Sequence, residues 1–180
     1  MRSNSYFIGI LFIRVLTLLF VFVSSVLILV GPGLCYQDIL FGYDYECFNF
    51  TVDSWEWVSN FVYFQIAVII LSVCMAAVSL ITIASIRCCD CHLSRMGHLI
   101  IAGTGVVVYI LAGVLETVLY FNIPDDFSDY DYSNWFNMPS NAHVRGYLAS
   151  AIFLFLSAVL AMVDTALVGA RKVYFEDQWD

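Results

Sequence analysis

A bundle of four transmembrane helices, all-α in class, is the fold this sequence predicts, on three observations. Four long apolar runs fall near 6–30, 58–86, 99–121 and 146–170, each longer than the ~20 residues a helix needs to cross a ~30 Å hydrocarbon core. None of the runs shows the continuous polar face, at a 3.6-residue period, that a soluble helix turns to water. Across the whole 180 residues, 62% are hydrophobic and only 12% charged, so what lies between the runs cannot build a soluble domain of its own. Inside lipid each backbone N–H and C=O has to be paired within its own segment, which makes each run a helix.

The first run starts behind Arg2 and ends near Gly31-Pro32-Gly33. It far exceeds the ~7–15 residue core of a signal peptide and has no A-x-A-like site after it, so it is expected to stay as a span. The four spans divide the rest into outer connections 31–57 and 122–145, an inner connection 87–98 and a tail 171–180. Cations set the orientation. Arg2, Arg87, Arg95, Arg171 and Lys172 share one side if the termini and the second connection do, and the positive-inside rule makes that side cytoplasmic. The connection 31–57 has no Lys or Arg but carries Asp38, Asp44, Glu46, Asp53 and Glu56. The next outer one holds Asp125, Asp126, Asp129 and Asp131. A formal net charge of −8 leaves no basic surface for a nucleic acid.

The six cysteines sort by compartment. Cys35 and Cys47 share the first outer connection, with eleven residues between them; in an oxidising compartment a disulfide is expected, worth roughly 2–4 kcal/mol. Cys74 falls mid-span and reads as a small apolar residue. Cys88, Cys89 and Cys91 follow the inner end of the second span, where S-acylation is expected. The other readings of that turn are free thiols, or a zinc site completed by His92 or His98. Its spacing matches no standard zinc knuckle, so no metal or other cofactor is assigned. Asn49-Phe50-Thr51 is a glycosylation sequon beside Cys47.

Both outer connections alternate tyrosine with acid, as Tyr43-Asp44-Tyr45-Glu46 and Asp129-Tyr130-Asp131-Tyr132. Trp55 and Trp57 suit the interfacial aromatic belt. The tyrosine-acid stretches suit recognition of a basic or aromatic extracellular partner, because tyrosine offers contact area at low entropic cost and uniform charge steers encounter. A solvated acidic surface without a partner is the plain alternative.

Charged residues inside spans need named partners. Arg14 lies about eight residues into the first span and Asp164 about six short of the end of the fourth, both on the order of 10 Å deep at 1.5 Å per residue. Equal depth predicts an Arg14–Asp164 pair, with lone snorkelling of Arg14 as the rival. Toward the outer side, Glu116 and Arg145 form a second candidate pair. Ser157, Ala161, Thr165 and Gly169 make a small-residue strip on the fourth span for close packing against the bundle or a second copy. Gly103, Gly105, Ala112 and Gly113 suit close packing on the third.

No G-x-S-x-G, H-E-x-x-H or phosphate loop occurs, and the histidines His92, His98 and His143 are scattered, so no enzyme is expected. No span carries a polar stripe of the kind that lines a water-filled pore. Arg14 within Ile13-Arg14-Val15-Leu16-Thr17-Leu18-Leu19, and Ala151–Ala158 leading to Asp164, resemble the MARVEL-type tetraspan group, which includes physins, the myelin-and-lymphocyte proteins and some junction proteins. Gly33-Leu34-Cys35 followed by Cys47, and the Arg87-Cys88 turn leading toward Ala112-Gly113, resemble claudins. There the chain departs in lacking Trp after Leu34 and in a first loop about half the length of the family's. Tetraspanins have cysteines in the second outer loop and connexins three in each; this chain has neither. Both resemblances imply a structural protein that organises membrane at septate- or tight-type junctions, or in vesicle and apical domains. The implied partners are lipids and other membrane proteins, or copies of itself. The alternative from another class is a transporter or channel accessory subunit.

Overall fold

The computed structural model describes residues 2–30, 34–37, 45–48, 63–88, 95–129 and 143–170, with side chains at 7–30, 63–85, 96–121 and 146–170. Its body is four helices: α1 (Arg2–Leu29), α2 (Phe64–Cys88), α3 (Arg95–Asp129) and α4 (Arg145–Ala170). Within them, Phe7–Leu29, Phe64–Ser85, Met96–Phe121 and Gly146–Ala170 are long and apolar enough to cross a membrane. The large apolar side chains that face outward, such as Phe12, Phe22, Ile70, Val107 and Ile152, would be ruinous in water and are ordinary against lipid.

Contacts fix the directions. Arg14 meets Asp164, Phe20 stacks edge-on against Phe153 at 5.6 Å, and Ser24 meets Ser150, so α1 and α4 run antiparallel. Gly113 beside Phe155 and Leu99 beside Gly169 make α3 and α4 antiparallel as well. That α3–α4 interface is the most extensive in the bundle, followed by α1–α4. Two apolar clusters fill the interior. One holds Val21, Val68, Ala76, Tyr109, Ala112 and Leu154 with Ala158 and Ala161. The other, toward the end that carries the termini, holds Ile10, Ile83 and Val168.

The buried residues follow a stricter period than 3.6. On α3 they fall at His98, Ala102, Gly105, Tyr109, Ala112, Glu116 and Leu119, steps of four and three in alternation, with Gly113 buried beside Ala112. On α1 the same steps join Ile10, Arg14, Thr17, Val21, Ser24 and Ile28. A seam of period 3.5 keeps facing its neighbours only if the helices supercoil left-handedly, as in most membrane bundles.

Two departures concern the connections. Among the described residues, three short strands, β1 (Leu34–Gln37), β2 (Tyr45–Phe48) and β3 (His143–Val144), form one antiparallel sheet in the order β2-β1-β3. It joins the segment after α1 to the residues just before α4 at one end of the bundle. The sequence alone assigns these segments no secondary structure; outside a span, an extended backbone can satisfy its polar groups on a neighbouring strand. Secondly, α3 continues past Phe121 through Pro124 to Asp129, into residues expected to be loop. The end of an apolar run marks a depth in the bilayer, not the end of a helix.

A glycine decides how closely α3 and α4 approach. A Cβ at Gly113 would lie 2.9 Å from the Phe155 ring, closer than side chains tolerate. Gly113→Leu is expected to cost about 1–3 kcal/mol by overpacking, read as a lower midpoint of unfolding in detergent. Phe155→Ala added to it should restore most of the loss, because the ring is the obstructing group.

Candidate functional site in the polar core

Lipid offers no hydrogen bonds, so most hydroxyls inside the spans turn back on their own helix. Thr17, Ser25, Thr117, Ser157 and Thr165 each donate to the carbonyl four residues earlier at 2.8–2.9 Å. Among the described residues, polar contacts centred on Arg14, on Ser24 with Ser150 and on Gln65 with Glu116 instead cross between helices, and together they form the candidate site.

The deepest in chemical terms is centred on Arg14, 2% exposed. Its Nε donates to Asp164 Oδ2 at 2.9 Å. Its Nη1 donates to the Ser79 carbonyl at 2.7 Å and to Thr82 Oγ1 at 3.2 Å. Thr82 donates in turn to the same Ser79 carbonyl at 2.9 Å. One guanidinium therefore joins α1, α2 and α4, between the two apolar clusters. Arg14 is paired rather than snorkelling to the headgroups.

Nearer the sheet end, Ser24 and Ser150 share a hydrogen bond of 2.7 Å between α1 and α4. In the half of the bundle toward the sheet, Gln65 Nε2 donates to Glu116 Oε2 at 3.2 Å, joining α2 to α3. Both residues are fully buried. The expected partner of Glu116, Arg145, opens α4, and its side chain lies outside the described residues.

Gln65, Ser79 and Thr82 were not anticipated. A carbonyl such as that of Ser79 has no signature in sequence. A usable signal did exist in spacing, because Gln65, Ser72 and Ser79 recur every seven residues, as do Ser150, Ser157 and Asp164. The strip at four-residue spacing is only partly the buried seam. Ser157 and Ala161 are buried in the bundle, whereas Thr165 and Gly169 are half-buried and Asp164 and Val168 take the interior positions. Steps of four rotate about 40° each beyond a full turn, so such a strip drifts off any straight interface. His98, close to the start of the third span, is wholly buried among its neighbouring helices.

Of the remaining candidate residues, Cys35 and Cys47 are directly opposed in the β1–β2 ladder, and His143 of β3 opposes Cys35 on the other edge. Cys88 ends α2, and its side chain, with Asn49, Cys89 and Cys91, lies outside the described residues. Among the described residues no group of His, Cys, Asp and Glu is placed to hold a metal.

Four helices long and apolar enough to cross a membrane, joined by a few buried polar contacts, define a multi-pass membrane protein. No family model matches the chain, and neither the curated proteins nor the solved structures contain a match to it.

Removing one member of a buried pair strands the other, which typically costs about 3–5 kcal/mol, whereas removing both is often near neutral. Asp164→Ala is therefore expected to lower stability by about that amount. Arg14→Met combined with Asp164→Leu should recover most of it. Unfolding of the single and double variants in micelles measures the coupling, and simple additivity would show that the pair carries no energy.

Proposed function

We propose that this chain is a non-enzymatic structural tetraspan protein that organises membrane at septate- or tight-type cell junctions, or in vesicle and apical membrane domains. In this reading the termini and the 87–98 connection face the cytoplasm, where Arg2, Arg87, Arg95, Arg171 and Lys172 would lie. The acidic-aromatic outer segments meet an extracellular protein partner, and the lipid-facing helix surfaces pack laterally on other membrane proteins or further copies.

The observation that carries the reading is the use made of intramembrane polar groups. Arg14, Asp164, Ser24, Ser150, Gln65 and Glu116 are each bonded to a neighbouring helix. They act as clamps at successive depths, which suits a rigid scaffold better than a moving transport path. The MARVEL-like and claudin-like features of the sequence point the same way.

The sheet belongs to this proposal. Residues directly opposed in an antiparallel ladder have Cα atoms about 4.5–5.5 Å apart, inside the ~4.4–6.8 Å that a disulfide spans. The Cys35–Cys47 register supports a disulfide that locks the β1–β2 hairpin as a rigid outer surface. Asn49, one residue beyond β2, is the proposed glycan site, and Cys88, Cys89 and Cys91 the proposed acylation sites at the inner face.

An epitope-tagged copy in polarised epithelial cells should concentrate at junctions or in vesicles. A uniform plasma-membrane signal, or substrate flux in liposomes holding the purified protein alone, would overturn the scaffold reading. Separately, peptide mapping without reductant should recover a linked Cys35–Cys47 peptide from surface-expressed protein, and free alkylation of both thiols would exclude the lock.

A further inference from the structure

The Arg14–Asp164 clamp is incompletely satisfied by protein. Nε and Nη1 of Arg14 and Oδ2 of Asp164 are bonded, while Arg14 Nη2 and Asp164 Oδ1 are buried without a hydrogen-bond partner. Both side chains are at most 3% exposed. They line a cavity of about 10 Å³ that also touches Ser79 of α2 and Gly105 and Tyr109 of α3, so that all four helices bound it. That volume is at the lower end of what one water requires (~10–15 Å³), and although most of the wall is apolar, the two unpartnered atoms supply the polar partners that a buried water needs.

The chemistry of the walls selects the occupant. The two unpartnered atoms are one donor and one acceptor, and the pair that carries them is neutral in sum. A cation would face Arg14 and an anion Asp164, so neither is favoured. The ligand has to be uncharged, a single heavy atom in size, and able to accept and donate at once. We propose that the cavity is a binding site for one resident water, which accepts from Arg14 Nη2 and donates to Asp164 Oδ1. The water completes the coordination of the ion pair in the membrane interior. On its fourth side α3 closes the cavity through Gly105 and Tyr109. Gly105 leaves the room for the water.

A methyl group at Gly105 separates a wet cavity from an empty one by sign. The added Cβ would meet the Tyr109 ring at 3.5 Å, an ordinary contact, so no clash is introduced. Alanine also favours a helix over glycine. If the cavity is empty, Gly105→Ala fills it and raises the unfolding midpoint in nanodiscs. If it holds the water, the methyl displaces that water, leaves both polar atoms bare and lowers the midpoint. Gly103→Ala, whose Cβ would meet nothing within 4 Å, is the control for helix propensity and should match or exceed wild type. A midpoint for Gly105→Ala at or above wild type overturns the proposal, as does an equal fall in both variants. X-ray radiolytic footprinting supplies the second readout, since a bound water generates hydroxyl radicals in place. Tyr109, 2% exposed, should be oxidised in wild type and lose that label several-fold in Gly105→Ala. Absence of Tyr109 labelling in wild type overturns the proposal whatever the midpoints show.

Discussion

A guanidinium carried into hydrocarbon has nowhere to place its donors except on protein or on a water enclosed with it, and the arrangement around Arg14 follows from that constraint. Asp164 supplies charge from α4, and the Ser79 carbonyl supplies an acceptor from α2. A carbonyl within a helix stays open to donors from the side, and that of Ser79 accepts from both Arg14 and Thr82. Thr82 bonds both the carbonyl and the guanidinium, which holds the two in register. Three helices are thereby fixed at one depth. The apolar clusters on either side, around Val21 and around Ile10, then pack in a register that is already set.

That register matters because lipid removes the usual driving force for assembly. Lipid tails are as apolar as leucine, so apolar burial discriminates poorly between one helix face and another. Discrimination comes from small residues that permit close approach and from polar groups that must find each other. Both lie on the period-3.5 seam. Gly105, Ala112 and Gly113 face inward on α3, Ala151, Ala158 and Ala161 on α4, and the polar contacts recur between them. The outward faces carry phenylalanine, leucine, isoleucine and valine with no comparable order.

The same physics decides what was legible in the sequence. Span length follows from bilayer thickness, so four helices could be read directly from apolar runs. The meeting of Arg14 and Asp164 could be read from depth alone, because two opposite charges at one level in lipid have few other partners. Ser79 could not, since every residue has a carbonyl. Gln65 was readable only as part of a seven-residue recurrence, which the apolar background hides from any search for an amphipathic face. The strip through Ser157, Ala161, Thr165 and Gly169 drifts off the buried seam toward its inner end, because a four-residue spacing is not the spacing of a supercoiled interface. The sheet was hidden for a different reason. Pairing of β1 with β3 depends on where α1 ends and α4 begins in space, a relation that no local pattern of Leu34–Gln37 or His143–Val144 contains.

The contrast between interior and exterior bears on where specificity resides in the proposed scaffold. The polar groups of the spans face their own helix carbonyls or the interior clamps, so few are left to read a neighbour laterally. The lipid-facing surface is broad, apolar and chemically uniform, which permits association but distinguishes partners weakly. A scaffold built this way would take its lateral contacts from shape and its selectivity from outside the lipid. There, β1 and β2 offer an ordered ladder tied through β3 to the start of α4. Anchoring the sheet to the first residues of a clamped helix makes its position a property of the bundle rather than of a loop. A partner bound there would meet a preorganised surface and lose less conformational entropy on binding. On this argument the intramembrane clamps serve recognition indirectly, by holding still the surface that performs it.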